Sequence, residues 1–213
     1  MQNHWNLGRW LGIPVSTDWT LLLAFAWLFV MTGNAMQAIA GSLALVVVLL
    51  GHEFGHVAMA RWRRVAVYAI TINGMHGETA RGYARGKLDE IIVAWGGVLA
   101  QLLILALALL LLPLLPVPQN AWLGDALTGV YTVWTRWNIL LLVIALLPFS
   151  TLDGSVAWQI VPYLRERLKR RHVAPPKTSS DEKVVQLDAA RRRALKDESA
   201  KAAADIIERL KKK

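Results

Sequence analysis

His52-Glu53-Phe54-Gly55-His56 has the residue types and the spacing to do chemistry. Side chains four apart on a helix stand one above the other. His52 and His56 therefore point the same way and can share one metal ion. Glu53 lies beside them and can reach a water on that metal. This H-E-x-x-H pattern is the signature of zinc-assisted peptide hydrolysis with the glutamate as base. A zinc held by two histidines of one helix needs a third protein ligand and keeps its fourth position for water. The chain has no cysteine, so that ligand is a histidine or a carboxylate. The candidates are Asp153, Glu78, Asp89, Glu90 and His76. Asp153 is favoured by topology, because it follows Pro148 at a helix junction rather than lying in a charged loop. Its competing role is to cap the next helix.

The elements that must position these residues are apolar. Hydrophobic residues make up 55% of the 213, more than an ordinary soluble domain carries. The motif closes an apolar run from Ala38 to Leu50. A hydrophobic segment of about 20 residues reads as a transmembrane helix, and ionisable groups inside one default to a functional reading. The spans are expected at Trp19 to Thr32, which is short, at Met36 to Ala60 with the motif, at Ile91 to Leu112, stopped by Pro113, and at Ala126 to Leu147. Arg136 and Asn138 fall near the middle of the last, facing a polar cavity or breaking the helix. Ile13 to Thr17 reads as a strand, and Val65 to Ile72 and Thr79 to Tyr83 as a hairpin around Asn73-Gly74. The expected fold is thus an all-α polytopic membrane protein with about four transmembrane helices, a short interfacial helix at Ser155 to Leu164, a small membrane-associated hairpin or sheet, and a C-terminal soluble amphipathic helix.

Charge sets the orientation. Sixteen of the 24 Lys and Arg lie in residues 164–213, among eight of the 15 Asp and Glu. Those acids argue against nucleic acid as a partner. Arg61, Arg63 and Arg64 follow the second span at once. Positive residues mark the cytoplasmic side, which puts the site inside the bilayer near the cytoplasm of a cell (inner or plasma) membrane, with the C-terminus cytoplasmic. Residues 1–165 read as the membrane core, 166–178 as a linker containing Pro175-Pro176, and 179–213 as a basic amphipathic helix opening on the capping box Ser179-x-x-Glu182. That helix is open to a partner or a second copy. An edge strand within residues 65–83 can pair with an extended peptide, so Ile70, Ile72, Asn73 and Gly74 are expected to bind substrate. The amides of Gln101 and Asn138 are expected to assist.

Taken together, the two motifs His52-Glu53-Phe54-Gly55-His56 and Leu152-Asp153-Gly154, each at a membrane span, resemble those of the site-2 protease family of intramembrane zinc metalloproteases. Supporting matches are Gly12-Ile13-Pro14-Val15, the glycines of Asn73-Gly74-Met75-His76-Gly77, and Gly96-Gly97. The resemblance covers roughly residues 10–165. It implies one zinc per chain on His52, His56 and Asp153, and Glu53 as catalytic base. It also implies cleavage of a transmembrane or membrane-anchored protein within the lipid bilayer, in regulated proteolysis. Two positions depart from the family pattern. Its Asn-x-x-Pro reads Ala145-Leu146-Leu147-Pro148, and its Gly-Pro-x-x-Asn reads Gly97-Val98-Leu99-Ala100-Gln101. The competing readings are a catalytically silent protein that grips transmembrane segments and a membrane zinc-binding protein, in which Glu53 has no role.

Overall fold

The computed structural model describes residues 4–74, 77–116, 118–149, 152–172, 188, 191–196 and 198. Strand β1 (Trp5–Trp10) turns into β2 (Ile13–Thr17), and a short helix α1 (Thr20–Thr32) follows. Helix α2 (Ala35–Trp62) carries the histidine motif. The hairpin β3 (Val67–Ile72) and β4 (Gly77–Arg81) leads into α3 (Lys87–Leu111), which ends in a 3-10 turn at Leu112–Leu114. Helix α4 (Ala121–Thr132) runs through a π turn (Val133–Trp137) into α5 (Asn138–Leu146). Two shorter helices close the described core, α6 (Asp153–Ala157) and α7 (Ile160–His172). The chain separates into a compact unit up to Leu164 and a second from Arg165. In the second, Arg191 to Lys196 are helical.

Three helices are long and apolar enough to cross a membrane: Ala35–Trp62, Lys87–Leu114 and Ala121–Leu146. With its exposed apolar surfaces on all three, this is a membrane protein. Helix α1 is apolar but has only 13 residues, about 20 Å at 1.5 Å per residue. It is the short span of the sequence reading, and its length is below the full thickness of a bilayer. The interfacial helix expected over Ser155 to Leu164 is instead two pieces, because the chain turns at Trp158 and Gln159 between α6 and α7.

The sheet is larger than the expected hairpin. Its order is β1-β2-β3-β4. The outer pairs are antiparallel, and β2 pairs with β3 in parallel, Val15 opposite Ile70 and Thr17 opposite Ile72. Sequence reading missed β1 because Trp5, Leu7, Trp10 and Leu11 are exposed, so no alternation of buried and polar residues marks the strand. Parallel pairing also joins residues more than fifty apart, which no local pattern reports. The pairing corrects one expectation. Strand β3 is interior, and the side chains of Ile70 and Ile72 are fully buried. They fill the core with Val15, Val57 and Leu49. The open edge is β4, so any peptide that adds to this hairpin adds there.

Helices α2 and α3 touch through their backbones. A methyl on Gly55 would overlap the Gly96 carbonyl, and a methyl on Gly96 would overlap the Gly55 carbonyl. Small residues allow this approach between membrane helices, where tight packing replaces the hydrophobic effect. Hydrogen bonds hold the third long helix. Trp134 Nε1 donates to the Ala44 carbonyl of α2 (3.2 Å), and Asn138 Nδ2 donates to the Gln101 carbonyl of α3 (3.0 Å). Arg63 and Asp89 pair at the ends of α2 and α3, with Nε donating to Oδ1 at 2.6 Å.

Gly96→Val should cost about 1–3 kcal/mol by overpacking the α2–α3 contact. Gly124→Ala, whose methyl would meet nothing within 4 Å, should be neutral or mildly stabilising. Unfolding titrations in mixed detergent micelles measure both.

Candidate metal centre

The site is assembled from the second half of α2, the start of α6, and β4. His52 Nε2, His56 Nε2 and Asp153 Oδ2 converge. Asp153 Oδ2 lies 2.9 Å from His52 Nε2 and 3.0 Å from His56 Nε2, and the two imidazole nitrogens are 3.0 Å apart. Among the described residues, His52, His56 and Asp153 are the group whose ligand atoms lie close enough together to hold a metal ion.

Each ligand is placed by a local device. The i, i+4 spacing stacks the two rings edge to face, with centroids 4.7 Å apart. His56 Nδ1 lies 2.8 Å from the Val93 carbonyl of α3. A carbonyl only accepts, so Nδ1 carries the proton and the neutral ring turns the lone pair of Nε2 to the centre. Gly97 leaves room for both rings: a methyl there would sit 2.5 Å from His52 Cε1 and 2.6 Å from both Nε2 atoms. Asp153 is brought in by the turn after α5. Trp158 Nε1 donates to the Leu146 carbonyl (2.7 Å), and Trp95 Nε1 donates from α3 to the Ala157 carbonyl (3.1 Å). Gly154 packs against the end of α5 so tightly that a methyl would overlap the Leu146 carbonyl. The capping role for Asp153 is not seen: α6 starts without a side-chain cap, and the carboxylate faces the histidines.

The donor set fits a divalent cation. With Nδ1 of His56 protonated, its Nε2 and the Asp153 carboxylate are both acceptors, yet they stand 3.0 Å apart. His52 Nε2 faces the same two atoms. Three converging lone-pair atoms in a largely buried setting repel one another unless protons or a metal lie among them. Two imidazoles and one carboxylate suit zinc. The other candidates stand outside the convergent group. Asp89 is paired with Arg63, and Glu78, exposed on β4, lines the same cavity without joining the three ligand atoms. His76 lies outside the described residues.

Glu53 is buried, at 1% exposure. Thr79 Oγ1 of β4 donates to its Oε2 at 2.6 Å. Gly77, also on β4, lies so close that a methyl would overlap the carboxylate. Sequence reading missed Thr79 and Gly77 as site residues, because their contact with Glu53 crosses from strand to helix. The strand signal in residues 79–83 was the clue, since a strand there must run beside the motif helix. Glu53, the metal group, Gln101 and β4 line one cavity of about 270 Å³.

The expected substrate residues separate in the structure. Gln101 lines the cavity, and its Oε1 is buried without a hydrogen-bond partner among the described residues. Asn138 is fully buried but does not line it; its amide ties α5 to α3. Ile70 and Ile72 belong to the core, as above. Gly74 instead meets the start of α1, its N–H donating to Thr20 Oγ1 (2.9 Å). Asn73 lies beside it at the end of β3. Arg136 and Asn138, expected to face a polar cavity or to break the helix, do not share a cavity: Arg136 is exposed and Asn138 is buried, and the helix is interrupted by the π turn over Val133–Trp137.

Among solved structures the chain is similar to a site-2 protease from Methanocaldococcus jannaschii, at 20% identity and a TM-score of 0.59, over 80% of this chain and 74% of that one. The fold is therefore that of a site-2 protease. No protein-family model and no curated protein sequence matches the chain.

Detergent-purified protein should hold about one zinc per chain. His52→Ala, His56→Ala and Asp153→Ala should each lose it, whereas Glu78→Ala and Asp89→Ala should keep it. Metal analysis by mass spectrometry reads the result, and zinc retained in Asp153→Ala would remove that residue from the ligand set.

Proposed function

We propose that the chain is a zinc-dependent intramembrane endopeptidase of the site-2 protease family, cutting a transmembrane or membrane-anchored protein in or near its membrane segment. The observation that carries this reading is the position of Glu53, buried beside the convergent His52, His56 and Asp153 and held from the open edge strand by Thr79. A metal carrier would need the ligands but not that carboxylate. The likeness in fold to a site-2 protease supports the same reading.

A zinc bound by His52, His56 and Asp153 would supply Lewis acidity and an acidified water. The remaining chemistry belongs to the chain. Glu53 takes the proton of the attacking water on a carboxylate oxygen and passes it to the leaving nitrogen. Thr79 holds that carboxylate in place. The Val93 carbonyl fixes the tautomer of His56. The open edge of β4 binds the scissile segment as an added strand, which solves a problem specific to membranes: a helical peptide bond is already hydrogen-bonded, and a strand presents it. Gln101, which lines the cavity and whose carbonyl oxygen has no partner among the described residues, offers an amide to the substrate backbone.

The site then lies near the cytoplasmic face of a cell membrane, since Arg61, Arg63 and Arg64 end α2. The C-terminus is cytoplasmic, with residues 1–165 as the catalytic core, 166–178 as linker and 179–213 as a basic helix available to a partner or a second copy.

Glu53→Gln should lower cleavage of a reconstituted membrane substrate by about 10²- to 10⁴-fold while zinc content stays at the wild-type level. Cleavage at an undiminished rate would defeat the assignment. Thr79→Val should lower kcat with little change in KM, and Thr79→Ser should restore it. If the wild-type protein retains substrate segments without ever cutting them, it is a silent binding protein.

A further inference from the structure

Arg136 is the one charged residue in α5 and the π turn before it. It is exposed, and no hydrogen bond or ion pair joins it to any described residue. Its place along the helix makes that costly. The continuous helix Ala121–Leu146 has 26 residues, about 39 Å against a hydrocarbon layer of about 30 Å. Arg136 stands about 15 Å from the Leu146 end and about 22 Å from the Ala121 end. With the helix centred, its excess of about 9 Å is shared between the two ends, and Arg136 lies about 10 Å inside the apolar layer from the nearer side, where an unpaired charge is strongly disfavoured. Residues three, four and seven positions on, Ile139, Leu140 and Val143, are 46%, 48% and 51% exposed. They form one stripe with Arg136 along α5. The π turn contributes to this placement. It leaves Val133, Thr135 and Asn138 buried and Arg136 outside. Such turns recur at functional positions.

We propose that this stripe docks a single transmembrane helix that carries a carboxylate at the depth of Arg136. Charge complementarity selects the occupant. A second copy of the chain does not supply the acid. Of the four acids in the long helices, Glu53 is buried in the cavity of the metal group, Asp89 is paired with Arg63, Glu90 stands in the first turn of α3 at the helix end, and Asp125 accepts from Gln37 (3.1 Å). A copy lying parallel in the same membrane would place its Asp125 eleven residues away along the axis, about 16 Å. A partner helix with Asp or Glu in its apolar span satisfies the guanidinium and buries Ile139, Leu140 and Val143 at once. Neither step uses the metal group, so this inference stands apart from the proposed protease activity.

The test uses the full-length Glu53→Gln chain, reconstituted in phosphatidylcholine vesicles with labelled single-span Leu-rich peptides. The peptides carry Asp, Lys or Leu at the depth of Arg136, and binding is read by energy transfer. The Asp peptide should bind at least about tenfold tighter than the Leu peptide, as charged hydrogen bonds of this kind allow. Arg136→Gln should abolish the preference. Arg136→Glu should reverse it in favour of the Lys peptide, a gain that a misfolded chain cannot show. Equal binding of the Asp and Leu peptides, which is what an arginine facing lipid alone would give, would overturn the proposal. So would an Asp preference that survives Arg136→Gln.

Discussion

Two imidazole nitrogens and one carboxylate oxygen that converge to about 3 Å in a largely buried site need a proton or a metal ion among them. The rest of the core is arranged to enforce that meeting. Gly55 and Gly96 bring the backbones of α2 and α3 together, and Gly97 makes room for the rings. The Val93 carbonyl then fixes one ring from the facing helix. Trp95 and Trp158 hold the segment that delivers Asp153. Each device is weak alone. Together they hold groups that membrane energetics would otherwise keep apart or in water.

The electrostatic constraint also explains why Glu53 is braced from another element. A carboxylate beside the metal group has its own helix on one side only. Strand β4 supplies the other side, with the Thr79 hydroxyl as donor and Gly77 as the space the carboxylate occupies. The strand that offers an open edge to a peptide is therefore also the strand that holds the proposed base. In the proposed mechanism, peptide binding and the positioning of the base would share one five-residue element.

Some of this was legible in the sequence and some was not, for physical reasons. His52, Glu53 and His56 are separated by fixed helical offsets, so their convergence follows from local geometry. Asp153 could be ranked above Glu78 and Asp89 because a helix junction in an apolar region has few other uses for a carboxylate. The three long helices follow from apolar length. What stayed hidden depends on contacts between distant residues. Strand β1 has no buried face to give it a period, and the parallel register of Val15 with Ile70 has no local signal. Ile70 and Ile72 were read as substrate-facing because a hairpin in isolation has two open edges; pairing with β2 closes one and buries them. Asn138 and Arg136 differ by two positions, which a regular helix already separates by about 200°, so their opposite facing was legible, whereas the π turn over Val133–Trp137 left no mark in the composition.

The parallel pairing of β2 with β3 has one more consequence. It fixes the start of α1 and the end of α2 to the same sheet, while Gly33 and Asn34 join the helices at the far end. The two helices thus measure a common height with unequal rulers, 13 residues against 28. The difference, about 22 Å of helix, can be absorbed only if the sheet stands partway up the side of α2 rather than beneath it. A shorter or a longer α1 would shift the sheet along α2 and away from its present place beside Glu53. The length of an otherwise plain apolar helix is in this way the gauge that sets the strand level with the histidines.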